Sequence, residues 1–578
     1  MSHPLFRTKK IDKILSDAKT MADDHHGTGL RRVLTMRDLT FFGIAAIIGA
    51  GSFSSLGLAV FSGGPGVVVL FIICGIACGF TALCYSEFAS RIPVAGSAYT
   101  YAYASFGELF AWIIGWALIM EYSIGNIYVA FSWSDYFTSF LHKINIHIPD
   151  YLTCSYMEAH GAAINAAANS AGQITDSTKE LLSAWNNAPV IAGLRIIFDL
   201  PAIVINMLIT YLVYRGIKES RNFSNAMVVL KLAIVLLVII VGGYMIFHNS
   251  LTTNWQPVNS QGIRAFMPNG FGGVMAAVSG VFFAYIGFDA VSVLAEESKD
   301  PQRDLPRGMI LSLVICTTIY IILALVLTGA VVYSKFENVG DPLAYIFEPQ
   351  NLNIGWMQML VSICAVIAMT SVLLVFQMGQ PRIWMSMSRD GLLPPVFQKI
   401  HPRYKTPSFA TILTGIAVGA PILFTDKDFV LDFTSIATLF AFVLVCGGVL
   451  LIPAKEKLSG KFNMPYINSK FLFPLIVAAA LVIAHLITGH YFVRLFDITE
   501  DNASFNISTI IFWCTIVILA IVAFFKNWSL IPLLGLSTCM YLLTGMTGMN
   551  WAWFGGWLAL GLIIYFSYGY RKSKLAAA

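Results

Sequence analysis

Three kinds of residue in this chain could do chemistry inside an apolar environment: glycines that interrupt apolar runs, one lysine, and a few carboxylates. Gly43–Phe53 reads GIAAIIGAGSF, within an apolar run that begins at Leu39. Glycine weakens a helix by about 1 kcal/mol relative to alanine. In hydrocarbon a freed backbone group is costly unless protein, water or ligand meets it. A glycine cluster at mid-depth is therefore a helix broken to offer bare amides and carbonyls, or a small-residue packing face with Gly49 and Phe53 one turn apart. A second interruption lies at Gly280–Asp289, GVFFAYIGFD. Lys231 stands in NAMVVLKLAIVLLVII and Glu121 in LIMEYSIG, each among apolar neighbours. An ionisable residue at such depth is expensive and points to function.

The elements that must position these residues are membrane helices. The chain is 57% hydrophobic and 12% charged, with a mean hydropathy of +0.73. Soluble domains carry about 25% charged residues, so the composition is that of an all-α integral membrane protein. Apolar runs near 20 residues give about fourteen spans, heading from a polar segment at 1–36 that has no signal-peptide pattern. Leu5–Leu15 is either a short amphipathic helix on the membrane face or unstructured. Basic residues cluster on alternate loops, as at Arg215, Lys218 and Arg221, and at Arg571, Lys572 and Lys574. The opposite loops are acidic, as at Asp426 and Asp428. This asymmetry places both termini in the cytoplasm and explains the pI near 8.6 without nucleic acid. The 142–192 segment is then an extracytoplasmic loop, 454–570 holds four additional C-terminal spans, and 571–578 is a cytoplasmic tail.

Other classes of chemistry lack their residues. The nine cysteines are mostly small hydrophobes in apolar runs, with no disulfide framework and no metal-ligand cluster. No nucleophile–base pair or phosphate-binding loop stands out, so no enzyme, cofactor or metal is expected. Paired interrupted spans in two halves of a chain instead point to an inverted-repeat transporter with a midplane site. A half-helix starting at Gly51 favours a carboxylate at its amides. Half-helices ending near Ile47 and Phe283 offer carbonyls to an ammonium. A zwitterionic α-amino acid presents both groups.

The motifs GIAAIIGAGSF at 43–53, YSEFASRIPVAGSAYTYAYASFGELFAWIIGWALIMEY at 85–122, FFAYIGFDAVSVLAEESKDPQRDLPRGMI at 282–310 and QPRIWMSMSRDGLLPPVF at 380–397 resemble the amino acid–polyamine–organocation superfamily. Within it, the chain is similar to the cationic amino acid transporters and their bacterial permease relatives. The resemblance implies two inverted five-helix repeats with broken helices 1 and 6, forming a transport core over 37–453. It puts the substrate carboxylate at Gly49, Ala50 and Gly51, and the ammonium at carbonyls of Ile47, Phe283, Ala284 and Ile286. Phe283 becomes an aromatic lid. Ser52 departs from the family pattern, where Ile or Val is usual; its hydroxyl either caps the half-helix or alters specificity.

By the same resemblance, Lys231 takes the place of a sodium ion between spans one and eight, and its charge change couples transport to protons. Ten helical residues from Arg221 is ~15 Å, too far for comfortable snorkelling. Glu121 is a counter-charge for a cationic substrate, a proton relay or a structural hydrogen bonder; its presence in members of differing specificity favours the last two. Asp289, Glu296 and Glu297 read as an intracellular gate, with Arg37, Arg91 or Arg303 as partners. Met369 is bulky where relatives that accept long cationic side chains have a small residue. The expected activity is proton-coupled, sodium-independent secondary transport of small or medium neutral L-amino acids in the cytoplasmic (inner) membrane. A cationic amino acid transporter or exchanger is the alternative; an amino acid sensor on a transporter fold is another. Membrane lipids, the substrate and protons are the partners implied; a small membrane-protein partner is left unspecified.

Overall fold

The computed structural model describes residues 7–9, 34–49, 51–92, 97–168, 176–191, 193–216, 221–259, 262–404, 406–451, 462–488, 491–497 and 503–575. Ala50, most of Leu5–Leu15 and the side chains of Glu296 and Glu297 lie outside the described residues. Among the described residues the regular structure is helical apart from one two-residue hairpin, Val190–Ile191 with Leu194–Arg195. Among the described residues, eight helical segments are long and apolar enough to cross a membrane, and four apolar helices are shorter. Helices are the natural answer to such a sequence, because a segment in lipid must satisfy its own backbone groups.

The elements run as follows. Helix α1 (Met36–Ile47) breaks, a π-turn covers Gly51–Ser55, and α2 (Leu56–Gly63) resumes. Next come α3 (Val67–Arg91), α4 (Ser97–Ser105) and the long α5 (Glu108–Lys143). A cap follows, with α6 (Tyr156–Ala168) and α7 (Asp176–Asn187), and then α8 (Leu200–Arg215) and α9 (Arg221–His248). Two short helices, α10 (Gly270–Ala276) and α11 (Val278–Phe283), lead into a turn and a 3-10 segment, Asp289–Glu297. Helix α12 (Pro301–Ala330) is followed by α13 (Pro342–Tyr345), α14 (Gly355–Arg389), α15 (Ser408–Ile422) and α16 (Lys427–Leu451). The remaining helices include α17 (Leu472–Thr488), α18 (Tyr491–Phe496), α19 (Ala503–Lys526), α20 (Leu530–Leu543) and α21 (Gly548–Ile564).

Helix α5 is the central post: 89% of its most apolar window is buried, against 28% for α19. Its polar side chains face α14. Asn126 donates to Gln377 Oε1 (2.6 Å), and Gln380 donates to Ser123 Oγ (2.5 Å). Gln377 in turn donates to Thr210 on α8 (2.9 Å), and Asn206 on α8 donates to the Gly415 carbonyl on α15 (3.0 Å). Such interhelical bonds in lipid are worth about 0.6–2 kcal/mol each, and together they fasten α5, α8, α14 and α15 into one scaffold.

Both ends of the described chain meet at the same end of the bundle. Glu108 donates its amide to the Arg7 carbonyl (3.0 Å), and its carboxylate accepts Ser573 Oγ–H (2.5 Å) and Tyr565 Oη–H (3.1 Å). The cap of α6 and α7 packs at the opposite end, where Asp199 caps α8. Its carboxylate accepts from Ser134 Oγ (2.6 Å) and the Ala202 amide (2.9 Å), while burial pushes its pKa up to about 7. A carboxyl raised in the fold adds stability that is complete below its ordinary pKa and is lost as pH rises through about 7. Asn also caps well but does not titrate. The melting temperature in detergent is expected to fall by a few degrees between pH 5 and 8, and Asp199→Asn to reduce that fall. An identical pH profile in the variant would rule the assignment out.

Candidate functional site

The two interrupted spans meet in the middle of the bundle. Helix α1 ends as Ile48 donates to Ile44 (2.7 Å) and Gly49 to Ile47 (3.0 Å). The chain restarts with the Ser52 and Phe53 amides both donating to the Gly49 carbonyl at 3.1 Å. The Ser52 hydroxyl also donates there (3.1 Å). It therefore covers a carbonyl rather than accepting from the half-helix amides. In the other interrupted span, Ala284, Tyr285 and Ile286 make successive three-residue turns, and Gly287 takes φ +111°, which side chains rarely tolerate.

Glycine is required where the two breaks touch. A Cβ on Gly51 would lie 2.5 Å from the Ala284 Cα, and one on Gly49 would lie 2.6 Å from Val372 Cγ2. Ser55 ties the same region together, since its hydroxyl lies within hydrogen-bond distance of the Gly51 carbonyl (2.9 Å) and the Gly280 carbonyl (3.0 Å).

Between these breaks and the scaffold lies a small cavity. Ile47, Gly51, Phe283 and Ile286 line it, and α14 contributes Val372 and Phe376. Phe283 stacks obliquely on Tyr128, with ring centroids 4.5 Å apart. Tyr122 meets the edge of Phe376 at 5.6 Å. Met369 is fully buried but is not among the lining residues. Val372 and Phe376 follow it by about one and two helical turns on α14. They escaped the sequence reading because nothing distinguishes them there from other apolar residues of a 35-residue helix.

The carbonyls that α1 leaves at its end are partly taken. Lys231, 1% exposed on α9, donates to the Ala45 carbonyl at 3.1 Å. Tyr320 on α12 donates to the Ile47 carbonyl at 2.7 Å. The sequence reading singled out Lys231 but not Tyr320, a common buried aromatic by type. A carbonyl has two lone pairs, and the Gly49 amide (3.0 Å) and the Tyr320 hydroxyl together occupy both of those on Ile47.

Toward the end that carries the termini, Glu121 and Asp289 are 3% and 1% exposed. Glu121 Oε2 and Asp289 Oδ2 have no hydrogen-bond partner among the described residues, and the two carboxyl groups are within electrostatic reach of each other. Arg91 is held by Glu87 one turn earlier (Nε to Oε1 2.7 Å), and the Glu87 carboxylate also accepts the Met464 amide (2.8 Å). The strand before α1 is bound to the exit of the 3-10 segment, because Lys299 donates to the Leu34 carbonyl (2.9 Å). Both interrupted spans are thereby joined at this end. No group of three or more metal-ligating side chains occurs among the described residues.

Known proteins are similar to this chain over its whole length. The family model for amino acid permeases matches residues 34–487. The chain is 35% identical to the branched-chain amino acid permease BcaP of Bacillus subtilis (strain 168), covering 100% of both proteins. It is 34% identical to the methylthioribose transporter of the same organism, over 99% of each. It is 30% identical to cationic amino acid transporter 2, vacuolar, of Arabidopsis thaliana, over 99% of this chain and 94% of that one. With its broken spans, its central cavity and these relatives, the chain belongs to the amino acid permease family of membrane transport proteins.

Proposed function

We propose that the protein is a secondary active transporter that carries small or medium neutral L-amino acids by alternating access, driven by protons and independent of sodium. The observation that carries this reading is the cavity between the two helix breaks. Its lining holds no ionisable side chain. In this reading a zwitterion places its carboxylate at Gly49–Gly51 and its ammonium toward the carbonyls of Ile47, Phe283, Ala284 and Ile286. An apolar side chain then meets Val372 and Phe376, with Phe283 as the lid. The branched-chain permease among the relatives supports a neutral substrate.

In this reading the fold comprises fourteen spans, the first ten as two inverted repeats over 37–453, with both termini cytoplasmic and the cap outside. Lys231 couples the cycle to protons through the end of α1. Glu121 relays protons, and Asp289, Glu296, Glu297 and Arg91 belong to the inner gate. A cationic substrate is the second reading, favoured by the cationic transporters among the relatives and by the unpartnered oxygen of Glu121.

Competition uptake in proteoliposomes separates them. Labelled alanine, driven by an inward proton gradient and indifferent to arginine, is the expected result. Strong competition by arginine would give the site to cationic substrates and return Glu121 to its centre. Binding without flux would leave a sensor. Met369→Ser is expected to open space behind Val372 and raise arginine uptake on the order of 10-fold, since each methylene of fit is worth about 1–3 kcal/mol. An unchanged substrate profile would count against Met369 as a pocket determinant.

A further inference from the structure

Two rigid units face each other across the site. The scaffold of α5, α8, α14 and α15 is fastened by the ladder of Asn126, Gln377, Gln380 and Thr210 and by the bond from Asn206 to the Gly415 carbonyl. The half-helices on the cap side, α2 and α11, are fastened by Ser55. One hydroxyl crosses between the units and engages a third element. Tyr136 on α5, fully buried, donates to the Phe53 carbonyl at 2.5 Å. It also accepts the Leu343 amide at 3.4 Å. Its ring meets Phe53 edge-on at 6.0 Å. Val129 on α5 also lines the cavity, and Tyr136 lies seven residues beyond it, or ~10 Å toward the cap.

Leu343 belongs to the segment between α12 and α14, which lies across both units. Its Pro342 packs where Gly57 of α2 has no side chain; a Cβ there would meet the Pro342 ring at 3.1 Å. Its Gly340 abuts Asp135, which pairs with Lys427 on α16. The Phe53 carbonyl belongs to the π-turn Gly51–Ser55, so the Tyr136 contact is made on the broken stretch of the span itself.

We propose that Tyr136 is the latch of the outer gate: its hydroxyl holds the cap-side half of the first span and the 331–345 strap against α5, and it must release both for the site to open outward. This rests on the transporter reading, in which one unit rocks against the other around the site. Tyr136 is a positioning residue, acting on the substrate only through Phe53 and the strap. The Tyr128–Ser54 contact (3.2 Å) also crosses the units, but it leaves the strap untouched.

The test places a cysteine at Val129 in a Cys154→Ala background and measures its labelling by a membrane-impermeant maleimide from the cap side, without substrate. Y136F removes the hydroxyl and keeps the ring. It is expected to label about 2- to 10-fold faster, the factor corresponding to one hydrogen bond. Uptake should show a lower KM for external substrate together with a lower turnover, because opening is favoured and closure is not. T411V removes a bond that stays inside the scaffold, from the Thr411 hydroxyl on α15 to the Pro407 carbonyl (3.0 Å), and is expected to label at the parent rate. Y136F labelling at the parent rate overturns the latch whatever its uptake, and so does a T411V effect as large as that of Y136F. If Y136F does not yield folded protein, P342A takes its place: faster labelling supports the strap as part of the latch, and a parent rate overturns it. Labelling requires no flux, so failure of the transport reading appears separately, as absent uptake by the parent protein.

Discussion

Lys231→Met is expected to abolish uptake driven by a proton gradient while leaving the protein folded. The side chain is 1% exposed and donates to the Ala45 carbonyl at the end of α1. Methionine keeps the length and apolar stem but cannot donate or carry charge. An acceptor left unpaired in a buried site costs about 1–3 kcal/mol, which lowers the population of the substrate-competent break by at least several-fold. The larger effect lies in coupling. If the lysine is the proton-responsive group, the variant loses the pH dependence as well as most of the rate, and proton-gradient stimulation should fall at least 10-fold. Retention of full pH-dependent uptake would remove Lys231 from the coupling mechanism. Substrate-induced thermal shift of the purified variant distinguishes a coupling defect from loss of binding.

Gly51→Ala is expected to reduce uptake on the order of 100-fold with normal membrane expression. The added methyl would stand 2.5 Å from the Ala284 Cα and 3.0 Å from its Cβ, well inside van der Waals contact. The first of these atoms is backbone, so no rotamer change relieves the clash, and the two breaks must separate. A displacement near 1 Å in a positioning site can cost about 100-fold in rate. Gly79→Ala is the control, because nothing lies within 4 Å of a Cβ at that position. Near-parental uptake by Gly51→Ala would mean that the two breaks need not touch for transport.

These two residues were also the most legible in the sequence, and for a shared reason. A glycine cluster and a lysine are conspicuous in hydrocarbon because each carries a penalty that a membrane helix does not accept without return. The interruption at Gly280–Asp289 was visible on the same grounds, as were the buried carboxylates Glu121 and Asp289. The membrane class followed from composition, and the family from the motifs.

What the sequence by itself determined, then, is where the backbone is broken, which charges are buried, and the kind of guest that bare amides and carbonyls can hold. The tertiary structure decided which neutral residues complete the site. Val372 and Phe376 line the cavity while Met369 does not; Tyr320, rather than another aromatic, covers the Ile47 carbonyl; Tyr136 joins the first span to the strap. In a chain with 57% hydrophobic residues, apolar and aromatic side chains face lipid, core and cavity alike. Lipid is as apolar as leucine, so no periodicity marks the inward face, and only the packing of one helix against another assigns it.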